Sequence, residues 1–111
     1  MAHKYHAKPT VVDGIRFASQ KEARRYGELK LLEKAGKIDT LELQPVFELE
    51  LFSRGEFHKL GTYRGDFKYW DKADTATPVE VVEDVKGFKT PLYKWKKKHV
   101  EAQYGVQIIE I

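Results

Sequence analysis

The chain has 111 residues, 41% of them hydrophobic and 33% charged, a formal net charge of +3 and no cysteine. That length allows one core and a single domain over 1–111, and the composition suits a folded chain rather than a disordered one. Disulfides, thiol nucleophiles and thiolate zinc sites are excluded, and no apolar run is long enough to span a bilayer.

Residues 1–9 are polar and basic and read as a loose arm; the opening MAHKYHAKPT has none of the apolar character of a secretory signal. Val11, Val12, Ile15 and Phe17 flank the turn pair Asp13-Gly14, which predicts a small hairpin. Ser19 to about Ala35 reads as a helix. Ser19 is a good N-cap with Glu22 at capping-box spacing, Tyr26, Leu29 and Leu32 make an apolar stripe, and Gly36 suits the C-terminal end. Glu22 lies one turn before Tyr26, near the core face. Leu41 to Phe52 alternates as a half-buried strand, with Leu41, Leu43, Phe47, Leu49 and Leu51 on one face and Glu42, Gln44, Glu48 and Glu50 on the other. After the turn Ser53-Arg54-Gly55-Glu56, Phe57 to Trp70 reads as a second strand with a bulge near Gly61. Asp71 to Pro78 is a polar loop, and Val79 to Gly87 a third strand, valine-rich and so buried on both faces. Thr90-Pro91 opens a second helix running to about Tyr104, with Tyr93, Val100 and Tyr104 on one face and Gly105 at its end. Val106 to Ile111 is the last strand, parallel to the third because a helix connects them.

The chemistry concentrates in TYRGDFKYW and VEVVEDVKG. Strand alternation puts Val82, Asp84 and Lys86 on one face, and Asp66 on a face with Arg64 and Lys68. If the two strands pair, both aspartates meet at one place, where hard oxygen donors suit Mg2+ or Mn2+. Such an ion stabilises charge developing on a phosphodiester and lowers the pKa of an attacking water, and Lys86 can orient that water or balance negative charge. Each residue also has a plainer reading: Asp84 and Lys86 as a solvated ion pair, Asp66 paired with Arg64 or Lys68, Glu22 serving only the capping box, Gln44 lying on a polar sheet face. The run Lys86 to Lys98 holds Lys89, Lys94, Lys96, Lys97 and Lys98 with no acid, interleaved with Tyr93, Trp95 and His99. It reads either as a solubilising helix surface or as a contact for phosphates. His3, His6, His58 and His99 have no metal-ligand spacing.

On the segments FASQKEARRY, LQPVFEL, YRGDF, VEDVKG and TPLYKWKKK, the chain resembles the PD-(D/E)xK nuclease superfamily. Within it, the chain is similar to a family of small, phage-encoded, functionally uncharacterised proteins. The resemblance covers nearly the whole chain. It implies an α/β (α+β) fold, the restriction-endonuclease-like core of α-β-β-β-α-β order, with a mixed four-stranded sheet flanked by helices. By position it implies Asp66, Asp84, Lys86 and Glu22 as catalytic residues. Asp66, Asp84, Glu22 and the Val85 carbonyl would hold Mg2+ or Mn2+. Lys89, Lys94, Lys97, Lys98 and Gln44 would meet nucleic acid. Gly65 stands where the superfamily motif has proline, and Glu83 competes with Asp84 for the site. The expected activity is a metal-dependent endonuclease of DNA, double-stranded or branched, working as a dimer in the host cytoplasm. An inactive nucleic-acid-binding module or a host-protein-binding module on the same fold is the alternative.

Overall fold

The computed structural model describes residues 8–72, 76–85 and 89–111. Thr10–Val12 (β1) and Ile15–Phe17 (β2) form an antiparallel hairpin around Asp13 and Gly14. Both turn residues have positive φ, 54° and 74°, the backbone sign of a turn that matches strand twist. Helix α1 covers Gln20–Lys34 and starts where expected: the Ser19 side chain accepts the Glu22 N–H. Glu22, Ala23, Tyr26 and Leu29 form its buried stripe.

The two long strands expected at 41–52 and 57–70 are each broken into two. Ile38–Leu43 (β3) and Val46–Ser53 (β4) flank Gln44-Pro45, and Glu56–Arg64 (β5) and Phe67–Asp71 (β6) flank Gly65-Asp66. The breaks lie opposite one another. Gln44 N–H donates to the Asp66 carbonyl and Gly65 N–H to the Pro45 carbonyl, so the ladder continues through a bend. Gln44 at φ 50° turns the chain, and Pro45 has no N–H to offer a ladder. Gly65 leaves room for the crossing: a Cβ there would stand 2.7 Å from Val82 Cγ1 and 3.4 Å from Pro45 Cγ. The irregularity expected near Gly61 is present, because Leu49 pairs with Gly61 and Glu50 with Lys59, leaving Leu60 unpaired.

Val79–Asp84 (β7) pairs antiparallel with β6, and Gln107–Glu110 (β8) pairs parallel with β7. Helix α2, Pro91–Tyr104, makes the crossover between them. Thr90 caps it through the Tyr93 N–H, and Gly105 closes it at φ 69°. The result is an α+β fold whose four-stranded mixed sheet, order β3-β6-β7-β8, is flanked by the two helices, with β4-β5 extending it as a two-stranded ribbon. If each bent strand counts once, the order from α1 onward is α-β-β-β-α-β, as expected.

Buried residues fall into two clusters. Phe17, Ala23, Tyr26, Leu29, Ile38, Phe67, Tyr69 and Val81 pack on the α1 side. Phe47, Leu49, Tyr63, Val82, Tyr93, Val100, Val106 and Ile108 pack on the α2 side. Val81 and Val82 thus serve opposite faces, which is why β7 reads as a continuous valine run. Among the described residues no helix is long and apolar enough to cross a membrane.

Candidate functional site

The polar end of β7 departs from the apolar pattern. Val81 and Val82 are followed by Glu83 and Asp84, which are 0% and 3% exposed. An unpaired carboxylate so placed is costly, and the two solve the problem on opposite faces of the strand.

Glu83 faces α1. Arg25 grips it with both arms of the guanidinium, Nε to Oε1 at 2.7 Å and Nη2 to Oε2 at 2.6 Å, and Tyr69 Oη donates to Oε2 at 2.6 Å. The two-pronged contact is the strong form of a carboxylate pair. Burial and the Glu83 contact hold the Tyr69 hydroxyl well above its usual range. With its acceptor positions engaged, Glu83 is a structural acid tying β7 to α1. Asp84, not Glu83, is the β7 acid that neighbours Asp66 and Glu22.

Asp84 faces α2, where Tyr63 Oη donates to its Oδ2 at 2.5 Å. Burial first, then that bond, raises the Tyr63 hydroxyl above its ordinary range, so the proton stays on the tyrosine. Asp66 sits at the bend before β6. Its N–H donates to the Glu83 carbonyl at 2.9 Å, and its Oδ2 accepts the Val85 N–H at 2.6 Å. Burial pushes the Asp66 carboxyl up to about 7; the Val85 N–H works against this, while the neighbouring Glu22 and Asp84 carboxylates add to it. Glu22 is 7% exposed and likewise raised, by burial and then by Asp84. Its amide serves the helix cap while its carboxylate lies among the acids. No bond from that carboxylate back to the Ser19 amide forms among the described residues.

Three acids from α1, the bend and β7 therefore share one electrostatic neighbourhood. Glu22, Asp66 and Gln44 also line one cavity of about 290 Å3, together with Ile15, Arg16, Phe17 and Leu43. Gln44 is thus beside the acids and not on an open sheet face. The expected partners of Asp66 are elsewhere: Lys68 reaches Glu80 at 3.3 Å and Glu42 at 3.8 Å, and Arg64 lines a different cavity. Val85 enters through its amide, which holds Asp66. Lys86 lies outside the described residues, as do His3, His6 and most of the basic arm.

The acids are hard oxygen donors crowded enough to raise one another's proton affinity, and a divalent cation that keeps several waters suits such a set. Among the described residues, however, no three His, Asp or Glu side chains stand close enough to cage an ion by themselves. Any cation held here would therefore need water to complete its shell.

Of the expected nucleic-acid contacts, Lys89 pairs with Glu110 at 2.9 Å and Lys97 with Glu101 at 3.7 Å. Lys94 and Lys98 are exposed and make no ion pair among the described residues. Glu110 lies opposite Asp84 in the β7-β8 register and accepts from Tyr93 Oη at 2.9 Å, so Lys89 and the start of α2 border the site. His99 bonds the Glu50 carbonyl and the Gln103 side chain, and His58 the Ser53 carbonyl, in keeping with ordinary structural roles.

Arg25, Tyr69 and Tyr63 escape a reading of motifs alone. Arg25 had a signal, because it lies three residues after Glu22 and so on the same side of the helix. Tyr63 and Tyr69 had only their alternation with Gly65 and Phe67, which marks an inward face without naming a polar partner.

The family described as Protein of unknown function (DUF1064) matches residues 2–109 of the chain. No curated protein and no solved structure matches it.

Proposed function

We propose that this chain, which belongs to the DUF1064 family, is a metal-dependent endonuclease of the PD-(D/E)xK type that hydrolyses phosphodiester bonds in DNA. The observation that carries the reading is the gathering of Glu22, Asp66 and Asp84, each from a different element, at the carboxyl end of β7. A fold has no packing reason to crowd three carboxylates; a cation or a reacting group gives one.

Asp66 and Asp84 would hold Mg2+ or Mn2+, with Glu22 beside them and the Val85 carbonyl as a further oxygen. The cation supplies charge stabilisation for the phosphoryl group and a more acidic water. The chain's own part is orientation. The Val85 amide fixes Asp66, the Tyr63 hydroxyl fixes Asp84, and the Arg25–Glu83 clamp fixes the helix that carries Glu22. Lys86 follows as the balancing cation by its place in the motif. The basic residues around the start of α2 supply the attraction for a polyanion. Branched DNA and a two-fold dimer complete the reading, since paired cuts suit paired sites.

The test is cleavage of linear, flapped and four-way DNA in Mg2+ or Mn2+, comparing wild type with Asp84→Asn and Asp66→Asn. Loss of at least a hundredfold in rate with retained folding is expected for each. Unchanged cutting by both variants, with contaminating nuclease excluded, sinks the assignment.

A second reading is a nucleic-acid-binding module without chemistry. Calorimetric titration separates the two: DNA binding with no uptake of Mn2+ supports the module.

A further inference from the structure

We propose that the cavity between β5 and the first turn of α2 is a subsite for a backbone phosphate of the nucleic acid, beside the acid cluster and distinct from it. The proposal deepens the nuclease reading and rests on it for the kind of macromolecule bound.

The cavity measures about 220 Å3 and is lined by Thr62, Tyr63, Arg64, Thr90, Leu92, Tyr93 and Lys96. Its chemistry is the reverse of that of the cavity holding Glu22 and Asp66. Two cationic side chains line it, and among the described lining residues there is no acid. Arg64 is exposed and has no carboxylate partner among the described residues. Lys96 Nζ donates to the Thr62 carbonyl at 2.8 Å, which anchors the ammonium at the cavity while leaving further protons to donate. The Thr90 hydroxyl accepts the Tyr93 N–H and keeps its own proton for a ligand. The first turn of α2 adds the positive end of a helix dipole.

Size selects the class of ligand. Sites for whole small molecules run to roughly 300–1,000 Å3, so this cavity fits one group of a larger ligand better than a free metabolite. Position selects which group. Tyr63 lines the cavity and holds Asp84 through its hydroxyl, and Asp84 in turn acts on Asp66 and Glu22 in the acidic cavity. One tyrosine and one aspartate therefore link an anion-attracting cavity to a cation-attracting one. A phosphodiester chain crossing the acids would set a neighbouring phosphate between Arg64 and Lys96. The Tyr63 and Tyr93 rings, 6.4 Å apart at the centroids, would form an apolar floor under the sugar.

The experiment is fluorescence anisotropy of a short labelled duplex with full-length protein in Ca2+ and in EDTA, from 50 to 200 mM salt, alongside cleavage in Mg2+. Arg64→Gln/Lys96→Gln should weaken binding about three- to tenfold and lower the slope of log affinity against log salt by about 1, the contribution of one phosphate. Arg64→Gln alone, which touches no main-chain bond of the fold, should show part of the loss. Lys34→Gln, at the far end of α1, should show none. Affinity and salt slope equal to wild type in the double variant overturn the subsite, even if the protein cuts DNA normally. Dependence of binding on Arg64 and Lys96 without any cleavage supports the subsite and removes the catalytic reading alone. A wild-type protein that binds no DNA in either buffer overturns both.

Discussion

At the scale of single residues, the fold tolerates a poorly solvated acid at Asp66. Its carboxyl holds a proton in the folded state up to about pH 7, whereas the unfolded chain releases it near pH 4. Between those values the folded state binds more protons, so this group's contribution to stability falls as pH rises from about 4 to 7 and is then constant. Asp66→Asn keeps an acceptor for the Val85 N–H and removes the charge. In a chelating buffer it should stabilise the protein by about 1–2 kcal/mol at pH 8 and by little at pH 5, a modest gain because water still reaches part of the carboxyl. Urea unfolding at the two pH values checks this. Added Mn2+ should stabilise wild type and not the variant. A variant less stable than wild type at pH 8 would falsify the claim that the cluster is held against its own repulsion. Glu83 is the opposite case. It is fully buried, and Arg25→Ala would leave it with Tyr69 alone. Stripping one partner from a buried pair costs about 3–5 kcal/mol; the lower end is expected, because the Arg25 side chain is itself 23% exposed. The loss should appear in urea unfolding in the absence of any metal.

At the scale of elements, the bend at Gln44-Pro45 and Gly65-Asp66 positions the site. It ends β5 one residue before Gly65, frees Asp66 from strand alternation, and lets its side chain reach the Val85 amide. It also accounts for the glycine at residue 65. A Cβ at residue 65 would meet the fully buried Val82, and the Gly65 N–H is spent on the Pro45 carbonyl. Gly65→Ala should therefore cost about 1–3 kcal/mol as overpacking. Gly65→Pro should cost more, since it also removes a hydrogen bond and leaves the Pro45 carbonyl without its donor. Thermal melts of the two variants test the ranking, and an alanine variant as stable as wild type would show that the approach to Val82 relaxes freely. The helices, their caps and the small hairpin were legible in the sequence because each is signalled by adjacent residues: Ser19, Thr90-Pro91, Gly105 and Asp13-Gly14. The bend was not, because Leu41 to Phe52 keeps its alternation of apolar and polar residues straight through Pro45. A period-two pattern reports which face is buried, not whether the strand changes direction. The nearness of the three acids was legible from strand pairing and the helix position of Glu22, although Asp66 lies in the bend and not in an alternating strand. Their supports Tyr63, Tyr69 and Arg25 were not, since a hydroxyl or guanidinium on an inward face is assigned a partner only by the fold.

At the scale of the whole molecule, a net charge of +3 understates the field a polyanion would meet. Three acids, Glu22, Glu83 and Asp84, are buried, and Glu110 and Glu101 are engaged by Lys89 and Lys97. What remains toward solvent on α2 is Lys94 and Lys98, without ion pairs among the described residues. These four lysines differ in how readily they can release counterions from a phosphate backbone, because a paired lysine must first give up its carboxylate. Lys94→Gln and Lys98→Gln should each reduce the salt dependence of DNA binding by about 0.9 in the slope of log affinity against log salt. Lys89→Gln and Lys97→Gln should reduce it by less. The losses should be alike on duplexes of different sequence, since ammonium groups on phosphates position a helix without reading bases. Titrations at 50, 100 and 200 mM salt on two unrelated duplexes would measure this ranking. If the paired lysines prove the more important, Lys89 and Lys97 exchange their carboxylates for phosphate on binding, and the basic face centres on the start of α2 rather than along its exposed side.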